Sequence, residues 1–162
     1  MRIPPGRTRI LAAGLDHPED VAWAADGNLY AGGEDGQVYR IAPDGSGAEV
    51  IAHLRGRFLL GVTAHPDGSL LLCDSTRGEV LRLDIETRKT AIWTASASGQ
   101  PLRCPNYLSL LPDGSAVLTD SGDIDAPNGC LVHVPAKGGE GVRLSIGPMY
   151  YPNGCALLDD DG

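Results

Sequence analysis

No stretch of the 162 residues approaches the roughly 20 apolar positions that a membrane-spanning helix requires. The opening residues, Met1-Arg2-Ile3-Pro4-Pro5-Gly6-Arg7-Thr8-Arg9, lack the apolar core of a secretory leader. The expectation is a cytoplasmic protein with no membrane partner. Basic clusters are also missing: 13 Lys and Arg face 21 Asp and Glu, for a net charge of −8 and a pI near 4.8. Phosphate binding relies on such clusters, so a nucleic-acid partner is excluded from the reading. Cys73, Cys104, Cys130 and Cys155 contain no C-x-x-C pair, which removes a zinc ribbon and a thioredoxin-like motif and leaves reduced thiols in or near a core. No convincing helical period occurs. Ser75 and Ser121 lack the surroundings of a nucleophile elbow, and Asp159-Asp160-Asp161 lacks the Gly and distal Glu of an EF-hand loop.

What is present is a repeat. The pattern in Pro18-Glu19-Asp20-Val21-Ala22-Trp23-Ala24-Ala25-Asp26-Gly27-Asn28-Leu29-Tyr30 returns from Leu60 through Asp67-Gly68 to Leu72. It returns again from Pro105-Asn106 through Asp113-Gly114 to Leu118, and opens once more at Pro152-Asn153. The equivalent Asp-Gly pairs start at 26, 67, 113 and 161, which makes spacings of 41, 46 and 48 residues and points to a propeller or solenoid array. Within the first repeat, turn residues separate four short β patterns at about 19–24, 28–32, 37–42 and 48–53. Alternation is imperfect at Val80, Leu81 and Leu83, as expected of a strand covered on both faces.

The fold class is therefore all-β: a partial propeller with blades over about 13–53, 57–95 and 103–146, and the start of a fourth over 152–162. Residues 8–12 match the segments that close each repeat and read as an orphan last strand, with an orphan first strand at the other end. Blades bury their faces on neighbours, so a half ring predicts either a piece of a longer chain or self-association that closes the ring.

In such an architecture the first strand of each blade lines the central channel. Glu19 lies seven residues before Asp26 and Asn106 seven before Asp113, while Asn153 begins the fourth repeat; the matching position of the second repeat is Leu60. One carboxylate and two amides are hard oxygen donors, suited to Ca2+ or another divalent cation. The competing reading is that these are turn residues entering strands; the repeated register favours the metal. His17, His53, His65 and His133 have no metal-ligand spacing, and His17 reads as a surface side chain near the channel mouth. Asp74 and Asp120 end second strands, where they are expected to bond nearby backbone; Asp120 is also a minor site candidate.

The motifs Pro18-Glu19-Asp20-Val21-Ala22, Asp35-Gly36-Gln37-Val38-Tyr39-Arg40-Ile41, Pro105-Asn106-Tyr107-Leu108 and Pro152-Asn153-Gly154-Cys155-Ala156-Leu157 resemble the SMP-30/gluconolactonase/LRE-like family, related to strictosidine synthase-like proteins. The resemblance covers the N-terminal half of that family's six-bladed propeller. It implies one divalent metal, usually Ca2+, in the channel and hydrolysis of a small-molecule lactone or ester. Glu19 and Asn153 match family metal ligands, and Asn106 matches an asparagine that contacts metal or substrate. Arg103 and Tyr107 stand beside it as substrate-binding candidates. Two features depart from the family pattern: Tyr107 replaces an aspartate, and Cys104 stands where the substrate-contacting arginine is expected, with Arg103 one place away. No catalytic residue is assigned within the chain, because the family's general base would fall beyond Gly162. The alternatives are a non-catalytic propeller module and a strictosidine synthase-like enzyme.

Overall fold

The computed structural model describes Gly6, residues 8–144 and residues 146–158; the expected turn at Asp159-Asp160-Asp161 lies outside them. Three four-stranded antiparallel sheets succeed one another, each with its strands in chain order. Blade 1 is β1 (Val21–Trp23), β2 (Leu29–Gly32), β3 (Gln37–Ile41) and β4 (Ala48–His53). Blade 2 is β5 (Leu59–Ala64), β6 (Ser69–Asp74), β7 (Glu79–Asp84) and β8 (Thr90–Thr94). A two-stranded ribbon, β9 (Ser96–Ala97) and β10 (Gln100–Pro101), leads into blade 3: β11 (Pro105–Leu110), β12 (Ala116–Asp120), β13 (Cys130–Val134) and β14 (Val142–Arg143). The ribbon was not expected from the sequence. Ser98 and Gly99 take φ values of 51° and 75°, the primed turn that matches strand twist.

The repeated Asp-Gly pairs are hairpin turns between the first two strands of each blade. The amides of Gly27, Gly68 and Gly114 each bond the carbonyl three residues back, at 3.0, 3.0 and 2.9 Å. The carboxylates of Asp26, Asp67 and Asp113 each accept the backbone N–H two residues on, at 3.0, 3.0 and 2.9 Å. Repetition of residues here is repetition of one hydrogen-bonded device.

Blade 2 is packed on both sides. Leu70, Leu72, Leu81 and Leu83 join Ala22, Tyr30 and Val38 in one cluster, while Leu71, Cys73 and Val80 join Leu108, Leu118 and Val132 in another. Consecutive leucines at 70, 71 and 72 are thus all fully buried. Each such side chain contributes about 1.5–3 kcal/mol of transfer free energy. The competing phases of Val80, Leu81 and Leu83 follow directly, since both faces of the sheet are interior.

The segments expected as orphan strands form no ladder. Residues 8–15 carry no strand, although Leu11, Ala12 and Leu15 lie against Ala31, Tyr39 and Ile41 on the outer face of blade 1. Residues 152–158 likewise run without strand pairing against blade 3. A strand is defined by its hydrogen-bonded neighbour, and no neighbouring fourth blade exists among the described residues. No helix among the described residues is long and apolar enough to cross a membrane.

Candidate functional site

The antiparallel registers sort the polar residues by end. Leu59 pairs with Asp74 and Asp74 with Glu79; Pro105 pairs with Asp120 and Asp120 with Cys130. The beginnings of the inner strands β1, β5 and β11 therefore share one rim with the turns after β2, β6 and β12. The Asp-Gly turns occupy the opposite rim.

At the first rim a cleft of about 190 Å³ is lined by Glu19, Asp20, Leu60, Gly61, Asn106, Tyr107, Asn153 and Gly154. Glu19 comes from the approach to β1, Asn106 from β11, and Asn153 from the segment beyond blade 3. Two hydrogen bonds bracket Asn153: Ser121 Oγ donates to the Pro152 carbonyl at 2.6 Å, and Ser109 Oγ donates to the Cys155 carbonyl at 2.8 Å. The three expected oxygen donors thus share one cleft. Asn106 is buried, whereas Glu19 and Asn153 are exposed.

Bulges place Leu60, Gly61 and Asn106 at this cleft. Pairing of β5 with β6 slips between Leu59 and Val62, and that of β11 with β12 slips between Pro105 and Tyr107. The extra residue re-aims the chain at the channel side, which period-two reading of a strand does not foresee. The slip in β5 leaves the Val62 amide free of its own sheet, and Asp20 Oδ2 accepts it at 2.9 Å, while Asp20 Oδ1 accepts the Val21 amide at 2.7 Å. Asp20 joins blade 1 to blade 2 beside the cleft. Sequence reasoning did not assign it a role, although its position next to Glu19 at a strand start was visible. A Cβ at Gly61 would lie 2.5 Å from the Asn106 carbonyl oxygen, so glycine is what lets β5 and β11 meet there.

The other candidates fall at varied distances from this point. Tyr107 forms part of the cleft wall; burial, then the neighbouring Asp20 charge, raises its phenol above its ordinary value. Arg103 is not among the lining residues: its guanidinium donates to Asp123 Oδ2 at 2.9 Å. Asp120 is fully buried and accepts the Arg103 amide at 3.1 Å and the Cys104 amide at 2.8 Å, so it braces the chain entering β11 rather than the turn after its own strand. Asp74 holds the turn after β6, as expected, by accepting the Thr76 and Arg77 amides at 3.0 and 3.2 Å, and pairs with Arg57, which also bonds Glu79. Burial nonetheless pushes the Asp74 carboxyl upward, with Arg57 opposing.

His17 is exposed, as expected of a surface histidine, and both its ring nitrogens meet carboxylates. Its Nε2 lies 2.7 Å from Glu19 Oε1, its Nδ1 lies 2.9 Å from Glu34 Oε2, and its ring centroid is 5.2 Å from that of Phe58. The Glu34 hydrogen bond raises its pKa, partly opposed by desolvation and reinforced by Glu19.

Among the described residues no three His, Cys, Asp or Glu side chains cluster as a metal centre. The donor set is instead one available carboxylate and two amides, with the second carboxylate already bonded to backbone. Such a set fits part of the oxygen shell of a hard cation and does not fit a thiophilic one. A larger hollow, about 730 Å³, lies at the opposite rim of blade 2 among Asp67, Arg82, Asp84, Thr87 and Lys89. It gathers none of the expected donors, and Arg82 pairs with Asp67 there.

A gluconolactonase from Xanthomonas campestris superposes with a TM-score of 0.76 and 21% identity, over 89% of this chain and 52% of that one. This chain is a partial six-bladed β-propeller. A second propeller, named as gluconolactonase-like, gives a TM-score of 0.74 and 20% identity over 90% of this chain and 54% of that one. Virginiamycin B lyase from Staphylococcus aureus, in complex with quinupristin, gives 0.61 and 12% over 76% and 39%. At these identities the likeness establishes the propeller fold. The chain spans about half the length of the gluconolactonase-type structures it matches. The model of the strictosidine synthase-like N-terminal region matches residues 6–41, which include Glu19 and most of blade 1. No match was found among curated proteins.

Proposed function

We propose that this propeller contributes half of a divalent-cation-dependent hydrolase acting on a lactone or related ester. The observation that carries the reading is the meeting of Glu19, Asn106 and Asn153, from three separate segments, in one cleft at the channel rim. These residues would hold the cation, with Ca2+ preferred because it accepts loose oxygen shells completed by water. When bound, such a cation polarises a carbonyl and stabilises developing oxyanion charge. The chain's own residues then have simple tasks. Glu19 supplies charge, the two amides supply neutral oxygens, and Leu60 and Tyr107 form part of the cleft wall. In this reading the remaining blades and the base come from a partner or from the intact gene product.

The alternative is a non-catalytic propeller module, favoured by Tyr107, whose partly buried ring stands in the cleft wall in place of a carboxylate. Calcium titration by calorimetry on the wild type, Glu19→Gln and Asn153→Ala, paired with hydrolysis of simple lactones, separates the two. Binding that weakens at least tenfold in both variants, together with calcium-dependent turnover, supports the hydrolase. Calcium binding without turnover favours the module, and no binding removes the metal reading.

A further inference from the structure

His17 occupies a backbone conformation that side chains other than glycine seldom take: its φ is 43°. Strain of this kind persists where the surroundings over-determine it, and here three elements do so. Glu34, in the turn after β2, bonds Nδ1 at 2.9 Å; Phe58, on the approach to β5, lies beside the imidazole with the two rings tilted at 53°. The preceding residue is fastened as well, since the Asp16 amide donates to Tyr39 Oη at 3.0 Å and Gln37 Nε2 donates to Asp16 Oδ2 at 2.9 Å. The half-exposed ring is thereby held between Glu34 and Phe58, and its remaining nitrogen meets Glu19 Oε1 at 2.7 Å.

Glu19 needs such help. It is exposed, carries three rotatable side-chain bonds and lines the cleft with only one carboxylate to offer. Ligating carboxylates held by outer hydrogen bonds lose less freedom on binding, and these outer partners matter nearly as much as the ligands themselves. We propose that His17 is a positioning residue: the Glu34–His17–Glu19 chain grips Oε1 and holds the carboxylate at the cleft, ready for a divalent cation. The proposal rests on the reading of Glu19 as a cation ligand.

The decisive variant is His17→Gly, because glycine takes a φ of 43° freely and removes the clamp without adding strain. Calcium affinity by calorimetry and melting temperature in excess chelator are measured in parallel for the wild type, His17→Gly and Glu34→Gln. The expected result is a calcium Kd raised by about 10- to 100-fold in His17→Gly, with a metal-free melting temperature equal to or above that of the wild type. Glu34→Gln, which frees one side of the ring, should weaken calcium less. A His17→Gly Kd within twofold of the wild type overturns the clamp while leaving the cation reading intact. A lowered metal-free melting temperature with unchanged Kd likewise overturns it, assigning His17 to the fold alone. A wild type that takes up no calcium overturns the cation reading and the clamp with it.

Discussion

Gly61 decides how closely two blades approach at the cleft. Its φ is not in the left-handed region, so an alanine there would suffer only from contact: 2.5 Å to the Asn106 carbonyl oxygen and 3.0 Å to Tyr107 Cα, both backbone atoms that cannot rotate aside. Either β5 and β11 separate, or the bulge that presents Asn106 is redrawn. Overpacking of this kind costs about 1–3 kcal/mol. Gly61→Ala should therefore lower the urea midpoint by the corresponding amount and weaken any calcium binding that depends on Asn106. An unchanged midpoint would mean that the two inner strands are not in such close contact. Asp20 ties the other side of β5, at the seam between blades 1 and 2, by accepting the Val62 amide.

The hairpins carry the pH dependence. Side-chain and backbone hydrogen bonds from Ser115 hold the Asp113 carboxyl below its ordinary value, and the Ser46 and Thr87 amides do the same for Asp44 and Asp84. A carboxylate with a lowered folded-state pKa contributes stability that is fully present above its unfolded value, near 4, and is lost as pH falls through the folded value. Urea midpoints should then decline as pH drops below about 4. Asp113→Asn keeps an acceptor for the Ser115 amide but removes the charge, so its midpoint should fall less steeply over the same window. Parallel curves for the two proteins would assign the acid sensitivity elsewhere. Asp74 works against the trend, because burial raises it.

These turns were also the most legible part of the sequence, since Asp-Gly at fixed intervals encodes a local device that needs no distant partner. The four strands of blade 1 were readable within two residues of their observed ends for the same reason. The bulges at Leu60-Gly61 and at Asn106 were not, because register depends on the facing strand. The β9–β10 ribbon hid behind a single Ser-Gly pair. The shared cleft of Glu19, Asn106 and Asn153 was legible only through the repeat, and the grip of His17 on Glu19 depends on Glu34 and Phe58, which sequence spacing does not bring together.

Across the whole molecule the two outer blades differ from the middle one in what covers them. Blade 2 is enclosed, but Val21 and Trp23 on β1 are 56% and 65% exposed, beyond the strip that residues 11–15 cover. On blade 3, Cys155 and its neighbours lie along Ser109 and Val117 as a single unpaired segment. A second copy placed head to tail would set each blade 1 against the other's blade 3, complete six blades and bring two sets of cleft residues to one channel. Native mass spectrometry should then give twice the 16.9 kDa of the chain. Trp23→Glu would put a charge in the closed interface, where burying it unpaired is costly. Its dimer fraction should fall at least tenfold at equal concentration while its circular dichroism remains that of a β protein. A wild type that stays monomeric at high concentration would rule out closure by a second copy and leave the missing blades to a different chain segment.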